Sequence, residues 1–174
     1  MASIDGWDGI LDEGEEILWQ GRPDPRVVFR GRHLLTVTFG AFFAGFALVW
    51  MLLASSGGGY FWTFGLIHFT VGLGIMAGPI FWPAWARRHT WYTLTDRRAF
   101  IATDIPFQGR KLRSFPIAAK TRIDYQQGPP DTIHFAEEYR RTKNGSHRVA
   151  IGFERIDKGD EVYRLIRDIQ RAEA

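Results

Sequence analysis

The five histidines, His33, His68, His89, His134 and His147, are the first residues to consider for chemistry. They fall in separate segments with no pair at i, i+3 or i, i+4, so no helix face offers two imidazoles to one metal ion. Cysteine is absent, which excludes disulfides and thiolate ligands and agrees with a reducing cytosol. No Gly-x-x-x-x-Gly-Lys-Ser/Thr or Gly-x-Gly-x-x-Gly loop is present to cradle a phosphate, and no Gly-x-Ser-x-Gly elbow presents a nucleophile. The carboxylate pairs Glu15-Glu16 and Glu137-Glu138 are adjacent in sequence. On a strand, neighbours point to opposite faces, which makes these pairs poor acid–base couples. The sequence predicts neither an enzyme nor a bound metal or cofactor.

Positive charge is the remaining chemistry. The chain carries 22 Lys and Arg against 19 Asp and Glu, and from Arg87 onward there are 18 bases against 12 acids. They cluster at Arg87-Arg88, Arg97-Arg98, Arg110-Lys111-Arg113 and Arg140-Arg141-Lys143. Arg97, Arg98, Arg110, Lys111 and Arg113 are the candidate binding residues. A strand beginning at Lys111 would put Lys111 and Arg113 on one face and Leu112 in the core, and a neighbouring hairpin would bring Arg97 and Arg98 close to them. The ligand such a surface suits is an anionic lipid headgroup, at about 1 kcal/mol per base near a cytoplasmic leaflet, or an acidic protein partner. Retention of basic residues on the cytoplasmic side would also account for the clusters. Nucleic acid is not expected, because no aromatic–basic RNA-binding motif is present.

The segment that must hold these residues in place is apolar. Between Leu34 and Ala86 there is no Asp, Glu, Lys or Arg. Leu34 to Ala54 is long enough, at about 1.5 Å per residue, to cross a hydrocarbon layer of about 30 Å. Residues 60–86 form a second such run, and Ser55-Ser56-Gly57-Gly58-Gly59 between them is turn sequence without charge. Trp50, Tyr60, Phe61 and Trp62 flank the turn, and Trp82, Trp85, Trp91 and Tyr92 the other end, as an interfacial aromatic belt would. The pattern predicts a transmembrane helical hairpin. Arg22, Arg26, Arg30 and Arg32 precede it and Arg87, Arg88, Arg97 and Arg98 follow it, so both termini are expected in the cytoplasm. The first sixteen residues hold six acids and no base, which predicts an uncleaved anchor rather than a signal peptide. Gly40, Ala41, Ala44 and Gly45, with Gly74 and Gly78, are small residues that would let the two spans pack together or build a face for a second copy or a complex partner. His68 is expected to bond a neighbouring helix carbonyl, and Pro79 and Pro83 to kink or end the second helix.

Beyond Arg88 the period changes to that of short strands. Thr90 to Thr95 and Arg98 to Thr103 read as a hairpin about Asp96-Arg97, followed by extended stretches at Lys111 to Pro116, Lys120 to Gln127, Thr132 to Glu138 and His147 to Phe153. Gly128-Pro129-Pro130-Asp131 and Lys143-Asn144-Gly145 separate the later ones. Val162, Leu165, Ile166 and Ile169 then follow the amphipathic-helix period, with Asp157 or Asp160 as candidate caps. Antiparallel strands closed by one helix make a small α+β domain over residues 87–174, behind a cytoplasmic arm at 1–33, spans at 34–54 and 60–86, and an exported turn at 55–59.

Three local segments carry a resemblance. Gly14-Glu15-Glu16-Ile17-Leu18-Trp19-Gln20-Gly21-Arg22-Pro23, Trp91-Tyr92-Thr93-Leu94-Thr95-Asp96-Arg97-Arg98 and Gly159-Asp160-Glu161-Val162-Tyr163-Arg164-Leu165-Ile166 look like the opening segment, first hairpin and closing helix of the bacterial membrane-anchored pleckstrin-homology-like family. The resemblance implies a pleckstrin-homology-like domain held at the bacterial inner membrane and no catalytic residues. The Pro23-Asp24-Pro25 break leaves open whether Glu16 to Gln20 joins the sheet.

Overall fold

The computed structural model describes residues 6–142 and 145–173, and the chain divides into two compact units. One runs from Pro25 to Arg87, and the other joins the residues up to Asp24 with those from Arg88 onward.

The first unit is the helical hairpin: α1 (His33–Ser55), one turn of 3-10 helix at Phe61–Thr63, and α2 (Phe64–Arg88). Both helices are long and apolar enough to cross a membrane. The second begins later than the apolar run, because Tyr60 to Thr63 tightens into the 3-10 turn. It continues through Pro79 and Pro83 to Arg88 rather than ending at either. Small residues decide how the helices meet. A Cβ placed on Gly40 would lie 2.8 Å from the Gly72 carbonyl oxygen, and one on Gly72 would lie 2.7 Å from the Ala44 nitrogen. Backbone thus packs on backbone, while Leu35, Phe42, Phe46 and Leu53 point outward. The small residues expected from sequence divide here: Gly40 and Ala44 build the internal contact, whereas Gly45, Gly74 and Gly78 have open space where a side chain would be. His68 Nδ1 lies 3.3 Å from the Phe64 carbonyl oxygen of its own helix, not a neighbour's.

The second unit contains two antiparallel sheets and a helix. Strands β1 (Ile17–Gly21), β2 (Thr90–Thr95), β3 (Arg98–Ile105) and β4 (Gly109–Pro116) form the first sheet in that order. Strands β5 (Asp124–Gln126), β6 (Asp131–Thr142) and β7 (Gly145–Ile156) form the second, and α3 (Gly159–Ala172) follows. The question left open by sequence is answered by β1, whose Ile17 pairs with Thr95 and Gly21 with Tyr92. The arm, set apart in sequence as residues 1–33, groups with the β-domain as far as Asp24, and Arg155 holds its end, with Nη2 donating to Asp24 Oδ2 at 2.8 Å. The Lys143-Asn144 part of the turn between β6 and β7 lies outside the described residues.

The core lies where both sheets and α3 converge. Leu94, Ile117, Ile133, Phe153, Val162 and Ile166 are fully buried. Phe153 joins the sheets, with ring centroids 5.3 Å from Trp19, 4.9 Å from Tyr92 and 5.0 Å from Phe135. Gly152 is required at the second sheet, since a Cβ there would collide with the Ile133 carbonyl and lie 2.6 Å from the His134 Cα. The predicted caps of α3 do not form. Lys158 occupies the cap position with a left-handed φ of 56°, and the Gly159 N–H donates to Asp131 Oδ2 at 2.9 Å. A carboxylate from another strand therefore satisfies the first helical amide and meets the positive helix end.

Candidate binding surface

Four of the five basic residues chosen from sequence lie on the β3–β4 hairpin and the fifth, Arg97, immediately precedes it; the register separates them. Arg98 stands opposite Pro116 and Asp104 opposite Arg110, so Arg97 and Arg98 sit at one end of the hairpin and Arg110 and Lys111 at the other. With eight residues in β3 at about 3.3 Å each, the two groups are roughly 20 Å apart. The expectation that the neighbouring hairpin would gather them is corrected by this antiparallel pairing.

Arg98 is held in an internal clasp. Its Nη2 donates to Glu15 Oε2 at 2.7 Å and its Nε to Oε1 at 3.0 Å, the forked arrangement that makes such pairs strong. Glu15 is buried, and its carboxylate also accepts from Thr95 Oγ1 at 2.6 Å and from the Asp12 N–H at 2.8 Å. The hydrogen-bonded Arg98 guanidinium lowers the Glu15 pKa to about 2 against the opposing effect of burial, with the Thr95 hydroxyl and the Asp12 amide assisting. The same bonds raise Arg98. Asp12 adds a second ion pair to Arg98 at 3.0 Å, and the Trp7 ring meets Phe100 edge-on at 5.2 Å. Residues 7–16 thereby pack against Thr95 at the end of β2 and against Arg98 and Phe100 of β3. Arg97 is half exposed, 3.8 Å from Asp96, with Nη2 directed at the Glu13 carbonyl at 3.5 Å. Both arginines at this end are engaged by the arm rather than offered to a ligand.

The other end is open. Arg110 pairs with Asp104 at 3.1 Å, yet its side chain is 88% exposed, and exposed pairs of this kind contribute little. Lys111 is exposed, and among the described residues it has no ion pair. Arg113 reaches Glu138 at 3.2 Å and lies 5.0 Å over the Phe115 ring. Lys111 and Arg113 share a face, as expected, and Phe115 lies on it too, but Leu112 is 43% exposed and does not enter the core. The pairing explains it: Arg113 lies opposite Ile101, which packs against the core, and Phe115 opposite Ala99, which is in it, so that Leu112 turns outward beside Ala102.

A cleft of about 640 Å³ on the second sheet brings together Arg122, Asp124, His134, Glu137 and Arg148. Arg148 is paired with Glu137, and His134 Nδ1 is buried 3.7 Å from the Asp124 carboxylate without a hydrogen-bond partner. The cleft thus holds two arginines and two carboxylates beside the His134 imidazole. Among the described residues no three His, Cys, Asp or Glu side chains converge on a metal position.

Sequence reasoning found the bases but missed Glu15 as a buried partner and Phe107 in the β3–β4 turn. Glu15 lies in an acidic run that reads as solvated surface. Phe107 follows Pro106 and precedes Gln108-Gly109, and an aromatic residue inside turn sequence is the signal that was available. Comparison of the chain with family models, curated proteins and solved structures finds no match.

Proposed function

We propose that this chain is a non-enzymatic integral membrane protein in which the apolar hairpin crosses the bacterial inner membrane twice and keeps a small pleckstrin-homology-like domain at the cytoplasmic face. There the Arg110–Lys111–Arg113 end of the domain meets anionic lipid headgroups. The observation that carries this reading is the pairing of β1 with β2. These strands are antiparallel neighbours, so the chain leaves the sheet at Gly21 and returns at Thr90 at the same end. A segment inserted there must bring its two ends back to one side, as two spans do and one or three would not. The arginines flanking the hairpin favour the cytoplasm as that side. Four strands, then three, then a closing helix support the pleckstrin-homology-like reading. A place as accessory subunit in a larger membrane complex is the second reading, favoured by the outward-facing Gly45, Gly74 and Gly78.

Native mass spectrometry of the full chain, released from mild detergent with its bound lipid, tests the binding part. Anionic phospholipid should be retained over zwitterionic lipid, and retention should fall as salt is raised during extraction. Lys111→Glu with Arg113→Glu should reduce it several-fold, and Arg140→Glu with Arg141→Glu should leave it nearly intact. Equal losses for the two pairs would mean general attraction and would remove the site.

A further inference from the structure

The turn between β3 and β4 contains a residue that neither its conformation nor its surroundings account for. The Gln108 N–H donates to the Ile105 carbonyl at 3.0 Å, with Pro106 second in the turn and Phe107 third at a φ of 69°. This is the pattern of a type II turn, whose third position favours Gly or Asn because side chains avoid positive φ. A phenylalanine stands there instead and is fully exposed, with no ring packed on it among the described residues. Turn geometry would select against it, and so would water.

The place of this turn in the sheet is fixed by hydrogen bonds. Thr90, the first residue of β2, pairs with Thr103, and the Asp104 N–H donates to the His89 carbonyl at 2.9 Å. His89 directly follows Arg88, the last residue of α2. The turn therefore extends beyond the first residue of β2, at the end of the sheet where the chain enters from α2. Trp82, Trp85, Arg87 and Arg88 at that helix end are the residue types that mark a membrane interface. The shaft behind Phe107 carries the exposed Arg110 and Lys111. An apolar tip with bases one step behind it matches a bilayer, where hydrocarbon lies beneath a layer of anionic headgroups.

We infer that the Ile105–Gly109 turn is a membrane-inserting tip: Phe107 enters the bilayer interface while Arg110 and Lys111 engage headgroup phosphates. This rests on the reading proposed above and adds to it the residue that penetrates the lipid. Insertion would clamp the domain against the leaflet, and its strength would rise with the anionic lipid content.

The absence of native cysteine permits a direct test in the full chain. Phe107→Cys, Lys111→Cys and, as a solvent reference on the outer face of α3, Asp168→Cys are each spin-labelled and reconstituted in mixed phosphatidylcholine and phosphatidylglycerol vesicles. Collision with oxygen and with a water-soluble nickel chelate is then measured. The label at 107 should favour oxygen and be shielded from nickel several-fold relative to 168, with the label at 111 intermediate. In phosphatidylcholine alone, the shielding at 107 should weaken. If 107 matches 168 while 111 stays shielded, the tip does not insert but headgroup contact survives. If both match 168, inference and reading fail together. A label at 107 that is immobilised and shielded from oxygen as well as nickel would place a protein partner on the tip and overturn the inference.

Discussion

Arg98→Ala should destabilise the β-domain by about 3–5 kcal/mol, the usual cost of removing one member of a buried ion pair. Glu15 is then left buried without its main partner, although the Thr95 hydroxyl and Asp12 amide still point at it. Denaturant unfolding of the full chain in detergent, followed by near-ultraviolet circular dichroism, measures the loss. The clasp also sets a pH dependence. The folded-state pKa of Glu15 is about 2 against an ordinary 4.5, so its contribution is complete above about pH 5 and is lost as pH falls towards 2. The difference amounts to about 3 kcal/mol for this side chain, which solvent does not reach. Glu15→Gln should be less stable than the native chain at neutral pH and should lack this group's decline between pH 5 and 2. A variant with the same stability at neutral pH as the native chain would show that the arm is merely laid on the sheet.

Ile166→Ala should cost about 2–5 kcal/mol, because its side chain is fully buried in the core cluster that also holds Ile133, Ile156 and Val162. The companion changes separate packing from helix propensity. Leu165 is half-buried at the rim of the same core, so Leu165→Ala should cost less, contrary to the equal loss its helical period suggests. Arg167 is exposed and bonds Gln170 Oε1 in its own helix, so Arg167→Ala should cost least. The same denaturation experiment ranks all three. Equal effects would place the buried face of α3 elsewhere.

What sequence made legible follows from the range over which each signal acts. A charge-free run carries its own length, so both long apolar helices were readable to within a few residues. Strands β2 and β3 were equally clear, since β-forming residues and a two-residue turn are local. Long-range pairing has no such signature. Ile17–Gly21 joins Thr90–Thr95 across the entire apolar hairpin, and nothing in either segment names the other. Alternation within β4 gave the faces correctly as sets but assigned them the wrong way round, because Phe115 and Arg113, not Leu112, face Ala99 and Ile101. The cap of α3 was missed for a related reason, as Asp131 lies close in space and far in sequence.

The candidate site divides in the same way. Clusters of basic residues are visible in one dimension, whereas their availability depends on acids brought from elsewhere. Glu15 takes Arg98 out of the exposed set, while Lys111 remains open. Gln170 is a further example. It continues the helix as an ordinary polar residue in sequence, yet it is buried and its Nε2 donates to the Thr121 and Ala118 carbonyls at 2.7 and 3.2 Å.

The central claim is that the hairpin crosses the membrane twice with the β-domain and both chain ends in the cytoplasm. Its most direct test uses single cysteines in an otherwise cysteine-free chain, at Gly58 in the turn between the helices and at Glu173 beyond α3. In intact spheroplasts, a membrane-impermeant maleimide should label Gly58→Cys at once and should reach Glu173→Cys only after permeabilisation. Labelling of Glu173→Cys before permeabilisation, or protection of Gly58→Cys, would contradict the account.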